Sequence, residues 1–350
     1  MLSRVANTLY WMVRYVERAD NLARLIDVNR HLLLDFESLD SERLSAFWKP
    51  IVLSTGDEEL FGTLYETSGS AEVIHFLTDD KRNPNSIVSS IFQARESART
   101  VRDQLSDELW EELNSLYLSL NSGDMKAMAE SDPGKLYASI RRAALTFHGI
   151  ASSTTSRNEA WEFMDLGRYL ERADKTTRFL DIANYLPAGF EGGETGAPGV
   201  LHLSAILRSC GAMGAFRTEY QGEITAENVV RFLVFSRDFP RSVRFCMNRV
   251  DQSLHRISGT PRGTFSCGAE REAGRLFSEL SYGSASDAYE IGLHSFLDKL
   301  QGRFNKIGSE IFETYVLIPE RVQSRPLDPY PPISAALAWQ TEQEQQQQQQ

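Results

Sequence analysis

The chain of 350 residues carries 37 Lys and Arg against 48 Asp and Glu, a formal net charge of −11 with a pI near 5.2. That balance argues against general binding to a nucleic-acid backbone, whose affinity comes from clustered cations, and leaves room only for a local basic groove. Three widely spaced cysteines (Cys210, Cys246, Cys267) form no CxxC pair, which argues against a disulfide framework or a zinc site and favours a reducing compartment.

Arg4 and Arg14 interrupt the N-terminal segment, so it holds no signal-peptide core, and no apolar run approaches membrane-spanning length. A soluble cytoplasmic protein is expected. Residues 4–36 hold no Pro or Gly and predict a long first helix. Val5, Leu9, Met12, Val16, Ala19, Ala23 and Ile26 follow the three-and-four spacing of its apolar face. Glu72-Val-Ile-His75 has the E-x-x-H step of di-iron bundles, but the later stretch Glu227-Asn-Val-Val230 supplies no second one. No metal and no cofactor is expected. Pro84 opens a helical segment over 84–104. Ser106 followed by Asp107 and Glu108 places a cap and two anions at a helix start. Asp132-Pro133 reads as a cap before a proline in the first turn. Ser152 to Ser156 reads as helix-capping punctuation, since no base accompanies those hydroxyls. Ser156-Arg-Asn-Glu159 predicts a capping box that opens a helix over 157–185.

Residues 186–200, rich in Gly and Pro, read as a loop. Pro240, like Pro84, opens a helix, and the turns before the two, 78–87 and 235–243, are highly charged. Such a turn ahead of a helix N-terminus is either a plain capped start or an anion site, here with Arg237, Arg241 and Ser242 as candidate residues. Residues 326–350, with four prolines and a terminal Gln tract, cannot bury apolar surface and read as a disordered tail. No run of alternating β-branched residues appears, so the fold class expected is all-α.

The helices come in two sets. Arg14-Tyr-Val-Glu-Arg-Ala-Asp20 returns as Arg168-Tyr-Leu-Glu-Arg-Ala-Asp174, with Arg24 and Asp27 answered by Arg178 and Asp181. At a shift of about 155 residues, Gly56, Phe61 and Tyr65 meet Gly211, Phe216 and Tyr220. Further on, Pro84-Asn-Ser86 meets Pro240-Arg-Ser242, and Phe147 meets Phe304. Two tandem pseudo-symmetric helical modules are expected, 1–156 and 157–325, forming one bundle with their first helices adjacent at the centre.

At about 100° per residue, Asp27, Asp20, Arg24, Glu17 and Arg14 lie along one arc beside the apolar face, with Arg18 beyond it near Trp11 and Leu22. The second copy places Asp181, Asp174, Arg178, Glu171 and Arg168 likewise, with Arg172 beyond. Two readings stand. The arcs form partly buried ion-pair networks, where loss of one partner strands a charge. Alternatively they line a cleft, where Arg grips carboxylate or phosphate and Glu acts as base or metal ligand.

The opening from Met1 to Arg24, the stretch Trp161 to Arg172, and Phe239-Pro-Arg-Ser242 resemble the bacterial alpha-E family, an all-helical domain. The resemblance runs to about residue 320, and its motif positions are Glu17-Arg18 and Glu171-Arg172. It implies partnership with an ATP-grasp-type ligase and a transglutaminase-like protein, and a role in making or modifying peptide or amide bonds. It assigns no catalytic residue. The expected function is an accessory, substrate-handling component of such a system. The alternatives are a peptide-modifying enzyme using Glu17 or Glu171, and a helical scaffold. Nucleic acid and membrane are not expected as partners.

Overall fold

The computed structural model describes residues 1–34, 41–185, 197–221 and 223–317. Among them there is no strand. The first half runs α1 Ser3–Leu34, α2 Ser41–Thr55, α3 Glu58–Leu64, α4 Ser70–Thr78, α5 Ile87–Thr100, α6 Asp107–Leu120, α7 Gly123–Ser131 and α8 Pro133–Thr154. The second runs α9 Glu159–Asp181, α10 Ala197–Ser209, α11 Met213–Tyr220, α12 Ala226–Val230, α13 Val243–Ser258, α14 Gly268–Tyr282, α15 Ala285–Ile291 and α16 Leu293–Phe312. Single π-helical turns extend α12 and α16, over Arg231–Phe235 and Glu313–Leu317.

Helices α1 and α9 pack on each other more extensively than any other pair, with α5 and α8 around α1 and α13 and α16 around α9. The apolar stripe of α1 explains this, since Leu9, Met12, Val16, Ala19, Ala23 and Ile26 are all buried. Nearly every residue of α9 is buried, including the charged Glu162, Asp165, Glu171, Arg172, Asp174, Lys175 and Asp181. The two backbones come close at Gly167, where a Cβ would overlap the Tyr10 carbonyl oxygen. A glycine inside a helix costs about 1 kcal/mol against alanine, and this approach is what it permits.

Several helix starts follow the local signals. Ser106 and Asp132 accept hydrogen bonds from the Leu109 and Lys135 amides, and Pro133 sits in the first turn of α8. Others are displaced. Helix α9 is capped by Asn158, not Ser156: its side chain accepts from the Trp161 amide. Arg157 folds back onto the Ser152 carbonyl and the Trp161 ring, which holds the chain before Asn158 out of the helix. After Pro84 and Pro240 the chain makes a turn, and the helices begin only at Ile87 and Val243 behind the caps Ser86 and Ser242. Residues 197–200, expected in a loop, open α10, because Pro198 in a first helical turn forfeits no hydrogen bond. The rest of that loop (186–196), the end of the expected first helix (35–36) and the tail 326–350 lie outside the described residues. Among the described residues no single helix is long and apolar enough to cross a membrane.

Candidate functional site

Helix periodicity brings residues 14, 17, 18 and 21 of α1 to the side that faces α9, and the repeated string does the same for α9. The Glu-Arg pairs of the two helices exchange partners there. Glu17 receives Arg172 in a two-point clasp, Nε at 2.9 Å and Nη2 at 2.8 Å. Glu171 receives Arg18, with Nε at 2.8 Å and Nη2 at 3.2 Å. Both carboxylates are 0% exposed. Planar guanidinium forks suit this, because two parallel charge-assisted hydrogen bonds saturate a carboxylate with fixed geometry.

Further donors complete each clasp. Arg14 Nε reaches Glu171 at 2.8 Å while its Nη1 donates to the Tyr10 hydroxyl at 2.7 Å. Lys175 lies 4.0 Å from the same carboxylate. On the other side Arg241 Nη1 stands 2.9 Å from Glu17, and its Nη2 bonds Asp20 at 2.6 Å. The Arg241 carbonyl accepts from the Thr176 hydroxyl at 2.9 Å, which pins the turn against α9 and aims the side chain at α1. His148 Nε2 is 3.0 Å from Glu17 but misaligned for a hydrogen bond.

Burial alone would raise both carboxyl pKa values, but the surrounding guanidinium groups outweigh it and hold both well below the ordinary carboxylate range. His148 is pushed down to about 4 by burial and by nearby Arg168, so it is neutral at physiological pH. A general base needs proton affinity near the working pH and access to its substrate. Glu17 and Glu171 have neither.

The ends of the motif helices are tied down separately. Arg24 pairs with Asp20 at 2.9 Å and Arg178 with Asp174 at 2.9 Å, each four residues apart. Beyond them Arg141 holds Asp27 at 2.8 Å, and His294 holds Asp181 at 2.8 Å. Gly56 and Gly211 have φ of +82° and +61°, and a Cβ there would come 3.2 Å from Arg178 and 3.3 Å from Arg24. Each glycine turn therefore lies against the arginine of the opposite motif helix.

A family model described as a predicted alpha-helical domain with a conserved ER motif matches residues 1–316. The chain belongs to this Alpha-E family. Glu17-Arg18 and Glu171-Arg172 are two Glu-Arg pairs inside the matched span, and they are the pairs exchanged between α1 and α9. Relatives include an uncharacterized protein of Mycobacterium bovis, 28% identical over 271 residues, covering 73% of this chain and 30% of the relative. An uncharacterized protein of Mycobacterium tuberculosis is 27% identical over the same shares. The Alpha-E chain thus spans less than a third of the length of these relatives. No solved structure matches it.

The candidate anion residues of this Alpha-E chain do not converge. Arg237 is exposed, Arg241 turns inward to Glu17 and Asp20, and Ser242 caps α13. The charged turn at 78–87 satisfies itself, since Asp80 accepts from Tyr65 at 2.6 Å and from Arg82 at 2.8 Å. His75 pairs with Asp79 at 2.7 Å. Arg168, alone among the arginines at the four Glu-Arg string positions (Arg14, Arg18, Arg168, Arg172), has no carboxylate partner among the described residues. Sequence reasoning missed His148, Lys175 and Tyr10. His148 carried a signal, a lone histidine beside Phe147 on the apolar face of α8.

Proposed function

We propose that this Alpha-E chain is an accessory, substrate-handling component of a peptide- or amide-bond-forming system, working with an ATP-grasp-type ligase and a transglutaminase-like protein. One observation carries the accessory part: both motif carboxylates are sealed and charge-compensated, so neither Glu17 nor Glu171 is placed to act as acid or base. The length of the relatives supports it, because the matching stretch makes up 30% of each and so sits beside much further chain. The partners come from the family resemblance. We also propose that the two halves are copies of one module about a pseudo-twofold axis between α1 and α9, which the reciprocal Arg18–Glu171 and Arg172–Glu17 clasps support.

Co-purification tests the reading. A tagged full chain expressed with the ATP-grasp ligase of the same genome is expected to elute with it at moderate salt. Failure to elute together across a range of salt and nucleotide conditions would overturn it. A scaffold role is favoured by the same sealed packing, and it predicts that ligase binding survives substitutions in the clefts beside α9 with no change in turnover.

A further inference from the structure

A cleft of about 910 Å³ opens where the end of α8 meets α9 and α13. Its size falls within the range of small-ligand sites. Four arginines line it, and two are answered: Arg249 by Asp165, and Arg256 by Glu162 at 3.2 Å. The third acid, Glu159, stands at the rim with its side chain 42% exposed. The other two arginines have no carboxylate partner among the described residues. Arg157 donates to the Ser152 carbonyl at 2.7 Å and lies 3.6 Å over the Trp161 ring.

Arg168 is the decisive one. Its counterpart Arg14 is satisfied by Glu171. The equivalent carboxylate on its own side, Glu17, is already filled by Arg172, Arg241 and His148. Arg168 is left half-buried beside Tyr169 with an unmatched Nε. Burial and the neighbouring Arg172 both push its pKa below the usual guanidinium value, the mark of a cation short of counter-charge.

We propose that this cleft binds a small organic carboxylate, with the anion taken by Arg168 and an apolar body resting on Trp161, Tyr169 and Phe245. The guanidinium fork matches a planar carboxylate at two points, and the aromatic lining gives the remainder a surface to desolvate against. Assigning that carboxylate to an amino acid or peptide rests on the accessory reading above; the carboxylate site itself does not.

Calorimetric titration of the full chain with N-acetylphenylalanine tests the site. Saturable binding is expected, about tenfold or more weaker for N-acetylphenylalanine amide and for inorganic phosphate, a difference of about 1.4 kcal/mol or more. Arg168→Gln should weaken N-acetylphenylalanine by about tenfold or more, and Arg82→Gln, at a distant exposed arginine, should leave it unchanged. If Arg168→Gln does not fold, Arg157→Gln at the exposed rim should weaken binding several-fold, and the wild-type tryptophan fluorescence, to which Trp161 contributes, should respond to the acid but not the amide. Absence of saturable binding, equal binding of acid and amide, or equal binding of phosphate would overturn the proposal. So would unchanged binding by Arg168→Gln, or by Arg157→Gln where it replaces it. Carboxylate binding without ligase co-purification would keep the site and remove the ligase reading; the reverse would remove only the site.

Discussion

Among the described residues Glu171 draws its cations from the two motif helices alone: Arg14 and Arg18 from α1, and Lys175 from its own helix. Glu17 takes one cation from the opposite helix, Arg172, and another from the turn before α13, Arg241, with neutral His148 of α8 against it. The difference traces to flanking positions. Where the second half of the chain has Arg241, the first has Asn85, which accepts from Arg18 at 2.5 Å instead of supplying a charge. Where the first half has His148 after Phe147, the second has Asn305 after Phe304. An identical charged string therefore gives two unlike sites. Arg241 makes Arg168 redundant at Glu17 and leaves its charge facing a cleft.

Glu171→Gln is expected to have the largest effect. It would remove the only carboxylate paired with Arg14 and Arg18 among the described residues, strand two shielded guanidiniums, and cost about 3–5 kcal/mol. Glu17→Gln strands Arg172, but Arg241 keeps Asp20 at 2.6 Å and Asn21 at 2.7 Å. Its cost is expected nearer 2–3 kcal/mol. Urea unfolding of both variants near neutral pH checks this. Equal losses would break the comparison, and unchanged midpoints would remove the buried-network account.

The contrast was only partly legible in the sequence. The long apolar stripe of α1 and the caps Ser106 and Asp132 could be read because those signals are local. The Asn158 cap could not, since Ser156 and Asn158 are equally good caps and the side-chain placement of Arg157, on Ser152 and the Trp161 ring, decides between them. The seam between α1 and α9 followed from the arcs, but the pairing did not. Arg18 sits beyond its arc, near Trp11 and Leu22, yet its long side chain still reaches Glu171 across the seam. Helical spacing favours partners three or four residues apart, whereas Arg18 and Arg172 are committed about 154 residues away. The roles of Arg241 and His148 depend on packing that brings α8 and the turn before α13 to α1, and no local pattern encodes it.

The helix crossing is unlike on its two sides as well. Helix α9 has Gly167 at the contact, where the matching position of α1 is Val13. Gly167→Ala forces a methyl into the Tyr10 carbonyl and is expected to cost about 1–3 kcal/mol, the range for overpacking. Gly149→Ala, in α8 with nothing within 4 Å of the added carbon, should instead stabilise by up to about 1 kcal/mol. If both changes stabilise, the close crossing is not real.

His148 should give the Glu17 side a pH response that the Glu171 side lacks. Its pKa is about 4 when folded against 6.5 when free, so the unfolded chain holds the extra proton between those values. Stability is then complete above about pH 6.5 and declines as pH falls toward 4, by at most about 1.4 kcal/mol per unit. The carboxylates lose their contribution only at lower pH, because their unfolded values are near 4.5. His202, also lowered to about 4, adds a slope of the same sign. The informative quantity is therefore the difference between wild type and His148→Asn. That difference should shrink steadily from about pH 6.5 to about pH 5 in urea unfolding, and a constant difference would show that His148 is not held neutral.

The smallest effect expected lies at the far ends of the motif helices, where Asp27 meets Arg141 and Asp181 meets His294. Asp181 raises the pKa of His294 through its hydrogen bond and charge. The contribution is therefore whole below the free value of 6.5 and lost as pH rises through the folded one. The imidazole side chain is 52% exposed, so water screens the pair and holds it to a few tenths of a kcal/mol at most. A guanidinium has no titration in this pH range. His294→Gln should therefore cost about 0.2–0.5 kcal/mol near pH 6 and nothing measurable near pH 8.5, while Arg141→Gln should cost the same small amount at both. Unfolding midpoints at the two pH values separate them. An equal loss for His294→Gln at both would mean that it acts by packing on Tyr185, whose ring lies 5.6 Å away, and not by charge.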